Sequence, residues 1–416
     1  MKYFIPLLFI VSAHTQNLYE SFETFDKDSK NWYVAKTTYE FDVSKAEENN
    51  RVVEFSNVVG DISVEGKPTS TVTIIEKIKI RSKTKSYAQE IFQSSKAEVS
   101  KSGLGHIQFK MDKKFRSRYK VYYDYDIVVP NHYNLSLRTS GGDVEVFYLT
   151  GEAFLKTSGG DIDVTTLTGR LTAKTSGGDL TLEKVKGVAN IRTSGGDIEI
   201  SDCIGKLEGT TSGGDVDVSF CQAEVDMHTS GGNIDFKDIT GKNIYGRTSG
   251  GNIEVEDVKG DVEVYTSGGN IEVVNLDGHL ECETSGGHID LERVQGNIDV
   301  KTSGGTIKGD RIHGKIYART SGGSVKIEKI WDQSLKNHDI NLRTSDGSIE
   351  LILPEDFPAS FDAFVDNPRS TSVIDSEFPI QIRLNDGDVI ATGDINGGTF
   401  IVKLKSRRGS ITIEKD

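Results

Sequence analysis

Cysteine is scarce in this chain, with three in 416 residues, and none sits near the N-terminus where a lipid could be attached. No cysteine cluster has zinc spacing, and neither His-Glu-x-x-His nor Gly-x-Ser-x-Gly occurs, so the common metallo- and serine-hydrolase signatures are missing. Beyond the first residues no apolar run approaches the roughly 20 that span a bilayer. Clustered Lys and Arg are lacking too. The 49 basic residues face 63 acidic ones, for a formal net charge of -14, which argues against a nucleic-acid partner because phosphate binding needs basic patches.

Met1 to Gln16 read as a secretory signal. Lys2 supplies the positive start, Tyr3 to Val11 a short apolar core, and Val11-Ser12-Ala13 small residues for cleavage. Residues 1–15 are expected to be removed, leaving an exported mature chain without a transmembrane segment.

What the sequence does contain is a repeat. Thr-Ser-Gly-Gly begins at Thr139, Thr157, Thr175, Thr193, Thr211, Thr229, Thr248, Thr266, Thr284, Thr302 and Thr320, with a variant, Thr-Ser-Asp-Gly, at Thr344. In the copy from Thr157 to Lys174, Gly159-Gly160 turns the chain, Asp161 to Val164 alternates polar and apolar, Gly169 turns it again, and Arg170 to Lys174 alternates once more. Alternation puts Ile162, Val164, Leu171 and Ala173 on one face. A single copy has almost no core, so the copies must stack, each apolar residue over its equivalent and each strand paired with its copy about 4.8 Å away. The column ten residues after each Thr supports this: Leu149, Leu167, Val185, Cys203, Cys221, Ile239, Val258, Leu276, Val294, Ile312 and Ile330 are all apolar or cysteine.

The expected fold class is therefore all-β: a parallel β-helix, or solenoid, of ~18-residue two-strand coils, right-handed by the general rule for parallel crossovers. The Gly-Gly pair is expected at the corner because Gly reaches positive φ and stacked corners leave no room for a Cβ. Two departures stand out: one residue added near Gly246, expected as a bulge, and six added around Trp331 to Asp339, expected as a protruding loop.

Open β-helix ends expose unpaired backbone and need covers. Val58 to Val64 reads as an irregular first rung, Ser86 with Gln89 as a capping box opening a helix from Ser86 to Val99, and Tyr119 to Val129 as a strand ending at Pro130. Residues 17–137 are expected to form an N-terminal α+β cap, 138–353 the β-helix repeats, and 354–416 a C-terminal β cap with degenerate rungs at Gly397-Gly398 and Gly409 to Ile413. The combination of Gly60-Asp61-Ile62-Ser63-Val64, the Tyr125 to Pro130 strand, the Thr-Ser-Gly-Gly-Asp rungs and the closing Gly-Ser-Ile-Thr-Ile resembles the bacterial "putative adhesin" family of β-helical domains of unknown function. The resemblance spans roughly residues 52 to 414. It implies the architecture and an envelope location, and brings no catalytic residues.

Several constellations invite chemistry. The position after Gly-Gly holds Asp143, Asp161, Asp179, Asp197 and Asp215, then Asn233, Asn252 and Asn270, then His288, Thr306 and Ser324, with further acids two positions on. Stacked carboxylates repel, so calcium is conceivable. The plainer reading is that these side chains bond nearby backbone amides, with a compensating basic column at Arg138, Lys156, Lys174, Arg192, Arg247, Lys301, Arg319 and Arg343. Cys203 and Cys221 share an inward column in adjacent coils, so a disulfide is possible in an oxidising compartment; Cys282 should be a buried thiol. The insertion carries Trp331, Asp332, His338 and Asp339, a candidate binding loop whose alternative role is to cover the last coils. No catalytic, cofactor-binding or metal-binding residue is assigned, and no cofactor is expected.

The functional expectation is a non-catalytic, adhesin-like or envelope structural protein in the periplasm, in the cell envelope or on the extracellular surface. Its partner would be an envelope or cell-surface protein or a glycan. A polysaccharide-active β-helix enzyme, with paired surface carboxylates such as Asp161 and Asp163 as acid and base, is one alternative. An envelope-stress regulator that binds envelope proteins is the other.

Overall fold

Alternation after each Gly-Gly pair produces strands that stack in register. In the computed structural model, which describes residues 16–25, 32–47, 50–111, 120–366 and 373–416, Val144–Lys156 runs parallel to Ile162–Lys174, with Val144 beside Ile162, Leu149 beside Leu167 and Ala153 beside Leu171. The signal-like segment 1–15 lies outside the described residues. Contacts gather the chain into two units, Met1–Thr210 and Thr211–Asp416.

The first unit contains the most regular coils. Ile162, Val164, Leu167, Leu171 and Ala173 are at most 1% exposed, so they fill the coil interior as the alternation requires. Between the two expected strands lies a short side made by residues 167–168. It begins after one non-glycine residue per coil in left-handed backbone: Tyr148, Thr166, Lys184 and Asp202, with φ of 55 to 60°. That residue leaves the ladder, which jumps from Phe147–Thr165 to Leu149–Leu167, and it turns outward, which is why Tyr148 is 57% exposed. The short side ends at Gly169, whose φ of 140° favours glycine.

At the Gly-Gly corner the physical reason differs from the expected one. Neither Gly159 nor Gly160 has a positive φ. A Cβ on Gly160 would lie 2.2 Å from the carbonyl oxygen of Gly142 in the preceding coil, whereas a Cβ on Gly159 meets nothing within 4 Å. Close stacking, not backbone hand, demands the second glycine.

Parallel pairing extends upstream of Thr139. Asp61–Lys67 joins Val144–Lys156 through Ile62 and Val144, and Val52–Val58 joins Asn134–Thr139 through Val53 and Leu135. Asp61–Lys67 also runs parallel to Val121–Pro130. From there pairing becomes antiparallel, through Thr71–Arg81 and Trp32–Asp42 to Gln16–Phe25. The helix Lys85–Ser95 buries Ala88, Ile91 and Phe92. Its cap is Thr84, whose hydroxyl accepts the Tyr87 amide at 3.3 Å, rather than the expected Ser86.

In the second unit the same stacking runs from Val216–Ser219 to Ile349–Leu353, with Ile271 beside Ile289 and Ile298 beside Ile316. The extra residue expected near Gly246 falls earlier, where the register slips between Thr240 and Asn243. Gly246 itself points inward, and a Cβ there would lie 2.8 Å from the ring of Phe236; its smallness makes room for that ring.

At the downstream end, strand order departs from chain order. Phe400–Ser406 and Ile411–Lys415 stack on Ile340–Arg343 and Ile349–Leu353, with Ile349 beside Ile411. The earlier segments Ala359–Val365 and Ile374–Ser376 then stack on them from the far side. The antiparallel strands Asp388–Asp394 and Gln381–Asn385 complete that side.

Candidate functional site

Two polar ladders hold each Thr-Ser-Gly-Gly corner. The buried Thr157 hydroxyl donates to the Gly142 carbonyl of the preceding coil at 2.7 Å and accepts the Gly160 amide of its own coil at 3.4 Å. Thr175, Thr229, Thr266, Thr284, Thr302 and Thr320 repeat the donation at 2.8 to 2.9 Å, and Ser406 takes the part in the coil that stacks on Gly347. The second ladder runs through the residue after Gly-Gly. Asp143 Oδ1 accepts the Asp161 amide at 2.9 Å, and Asp161 Oδ1 accepts the Asp179 amide at 2.8 Å. Asn233, Asn252 and Asn270 do the same for the coil that follows each of them, and His288 through Nδ1. The Asp and Asn side chains thus bond backbone amides, as the plainer reading expected, but those of the next coil rather than their own.

Carboxylates elsewhere on the coils are less well served. Partial burial, followed by the charge of Asp217, pushes Asp235 up to about 6; burial, opposed by a hydrogen bond with Thr181, raises Asp163. Among the described residues no group of three His, Cys, Asp or Glu is placed to hold a metal ion.

The insertion is where the repeat changes character. Four positions separate Ile312 from Ile316, but eleven separate their register partners Lys329 and Ile340. The net gain of six conceals a residue lost just before Lys329, at the left-handed position that Arg311 fills one coil earlier. This slip moves Lys329, not the expected Ile330, into the inward column. Lys329 is fully buried. Its ammonium lies 3.0 Å from the Ile312 carbonyl and 2.6 Å from that of Gly314, with the His313 carbonyl also in reach. The inserted residues draw the next strand away at this corner, and Lys329 supplies donors in place of a neighbouring backbone. Burial pulls it down to about 7, opposed by the Asp332 carboxylate. Burial, then the charge of Lys329, also lowers His313 and His338.

Of the four predicted loop residues, Asp332 and His338 lie near enough to feel the charge of this lysine. Trp331 packs edge-on to Phe357 at 6.3 Å between centroids. His338 is fully buried between Phe357 and Phe400, and its Nε2 is 2.8 Å from the Asp332 carbonyl. Asp332 Oδ1 accepts the Ser334 amide, and Asp339 Oδ1 accepts the Ile401 amide, both at 2.9 Å. Asp339 thus fastens the end of the insertion to Phe400–Ser406, whereas Asp332 closes a turn within it. Sequence reasoning missed Lys329 and His313; the available signal was a lysine next to the inward column just where the spacing changes.

All three cysteines are thiols in the structure. Cys203, put forward with Cys221 for a disulfide, places its Sγ 3.2 Å from the Ser201 carbonyl, and Cys221 places its own 3.1 Å from that of Ser219. Among the described residues the basic column does not compensate the acids by contact: of its members only Lys301 forms an ion pair there, with Asp299 at 3.1 Å.

Eighteen-residue coils closed by a threonine ladder and filled by one apolar residue per position define a parallel β-helix of the solenoid class. The chain belongs to the Toastrack DUF4097 family, whose model matches residues 75–229 and again 221–389. Among solved structures, a "putative cell adhesion protein" from Clostridium sporogenes is 7% identical, the match covering 96% of this chain and 100% of that one at a TM-score of 0.17. A "putative adhesin" from Bacteroides fragilis is 15% identical, with 76% and 96% covered at a TM-score of 0.24. No curated protein matches the chain. Among the described residues no helix is long and apolar enough to cross a membrane.

Proposed function

We propose that the protein is an exported, adhesin-like interaction protein of the cell envelope or cell surface, acting by binding rather than catalysis. The register carries this reading. Because Val144 sits beside Ile162 and Ile271 beside Ile289, every outward position also recurs at the strand spacing of about 4.8 Å. Such a face presents many similar weak contacts, which add through multivalency without a deep pocket. The signal-like Met1 to Gln16 supports export, and the insertion held by Trp331, Asp332, His338 and Asp339 remains a candidate contact loop.

Purified chain, labelled and applied to intact bacterial cells, is expected to adhere, and protease added to intact producing cells is expected to reach the native protein. Absence of adhesion together with protection from protease would remove the surface reading. Trp331→Ala with an unchanged circular dichroism spectrum and lost adhesion would place the contact on the insertion.

A further inference from the structure

Outward-facing cations stand in two unbroken lines, one in each unit. In the first, Arg138, Lys156, Lys174 and Arg192 are successive register partners. In the second, Lys301, Arg319, Arg343 and Lys405 are. Like charges facing one another on neighbouring strands, about 4.8 Å apart, repel and weaken a sheet. Carboxylates usually answer such a line. Here only Lys301 has one, Asp299; the other seven cations form no ion pair among the described residues. In a chain of net charge -14, composition alone would not gather eight cations into two files.

Aromatic rings share these faces. The Arg138 guanidinium lies 4.9 Å from the Phe154 ring. Lys301 and Arg343 stand on either side of Tyr317, each 5.9 Å from its centre, and Lys405 is 5.0 Å from Phe364. Beside the second line, Asn341, Arg343, Phe364, Lys403 and Lys405 border a shallow groove of about 360 Å³, whose lining holds three cations against one carboxylate, Asp362.

We propose that each line binds a strand of polyuronate, a polysaccharide with a carboxylate on every sugar. Cations recur once per coil, about 4.8 Å, close to the length of one sugar unit, so each carboxylate meets its own cation. Arginine forks accept carboxylates in pairs of hydrogen bonds, and the apolar faces of sugar rings pack on Phe154, Tyr317 and Phe364. A polymer charged only on alternate sugars would leave every second cation unanswered. This proposal rests on the interaction reading above and names its ligand.

Titration of polygalacturonate into the full chain tests it. Binding is expected, weakening as salt rises because the contacts are exposed, with none to dextran. The triple variants Lys156→Gln, Lys174→Gln, Arg192→Gln and Arg319→Gln, Arg343→Gln, Lys405→Gln should each lower the amount of polymer bound at saturation by about half, since each removes one of two separate sites, and their combination should abolish binding. Since these changes relieve repulsion, thermal midpoints should hold or rise, and Lys156→Arg with Lys174→Arg should bind as the native chain does. Undiminished binding by the combined variant, no binding by the native chain, or equal binding of single-stranded DNA overturns the proposal. If the native chain adheres to cells yet ignores polygalacturonate, this proposal falls and the interaction reading stands; if it does neither, both fall.

Discussion

The coil from Thr157 to Lys174 and the coil from Thr320 to Arg343 solve one problem in two ways. In the first, the strands pair in register with their copies, the corner amides of Gly160 and Asp161 are met by Thr157 and Asp143, and the inward strand positions are all apolar. In the second, one residue is missing and seven are added, and a buried lysine donates to the Ile312 and Gly314 carbonyls at the corner. Uniform stacking makes each coil interchangeable with the next. An irregular coil needs its own polar chemistry, here Lys329 with the carbonyls it serves and the nearby His313, His338 and Asp332.

The sharpest break in the regular coil is expected from Gly160→Val, whose side chain must enter the space held by the Gly142 carbonyl; a loss of about 3 kcal/mol or more is expected for such overpacking. Gly159→Ala, pointing into open space, should shift the urea midpoint little, and equal losses at the two positions would refute the stacking explanation. In the irregular coil, Lys329→Met keeps the volume and removes the donors. With Ile312 still receiving the Ile330 amide and the His338 ring bonding the His313 backbone, the Gly314 carbonyl is left bare at a cost of about 1–3 kcal/mol.

Acidity separates the two coils further. Between about 7 and the ordinary lysine value of 10.5, the folded protein holds fewer protons on Lys329 than the unfolded chain does, so its contribution to stability rises with pH across that window. The gap in urea midpoint between native chain and Lys329→Met should widen in the native chain's favour from pH 7 to pH 10; a constant gap would mean that the amine does not titrate there. Thr157→Val should cost about 1–2 kcal/mol, since one hydroxyl serves two backbone groups. Asp161→Asn should be the mildest, within about 0.5 kcal/mol, because Asn252 and Asn270 accept the same amide elsewhere. A larger loss would show that charge, not hydrogen bonding, holds that ladder.

The stacking was legible in the sequence because the inward positions must be apolar in every copy, and spacing alone exposes them. The left-handed position was not, since its side chain faces solvent and carries no common property: Tyr148, Lys184 and Asp202 have nothing else in common. The phase slip that buries Lys329 was masked by the larger insertion beside it, so the column was continued one residue too far, to Ile330. The insertion residues Trp331, Asp332, His338 and Asp339 were picked out for their chemistry, but only contacts with Phe357, Ser334 and Ile401 reveal what each one fastens. The cation lines were visible as a column and expected to balance the acids, because register says which residues align and not which charges touch.

The order of segments at the downstream end has a bearing on how the protein is made. Ala359–Val365 and Ile374–Ser376 leave the synthesis machinery before Phe400–Ser406 and Ile411–Lys415, yet the later strands lie between them and Ile340–Arg343 and Ile349–Leu353. The earlier segment therefore cannot settle permanently on the growing stack; it must wait, or be displaced, until its successor arrives. In the interval the strands Ile340–Arg343 and Ile349–Leu353 present a raw edge open to aggregation or to a chaperone.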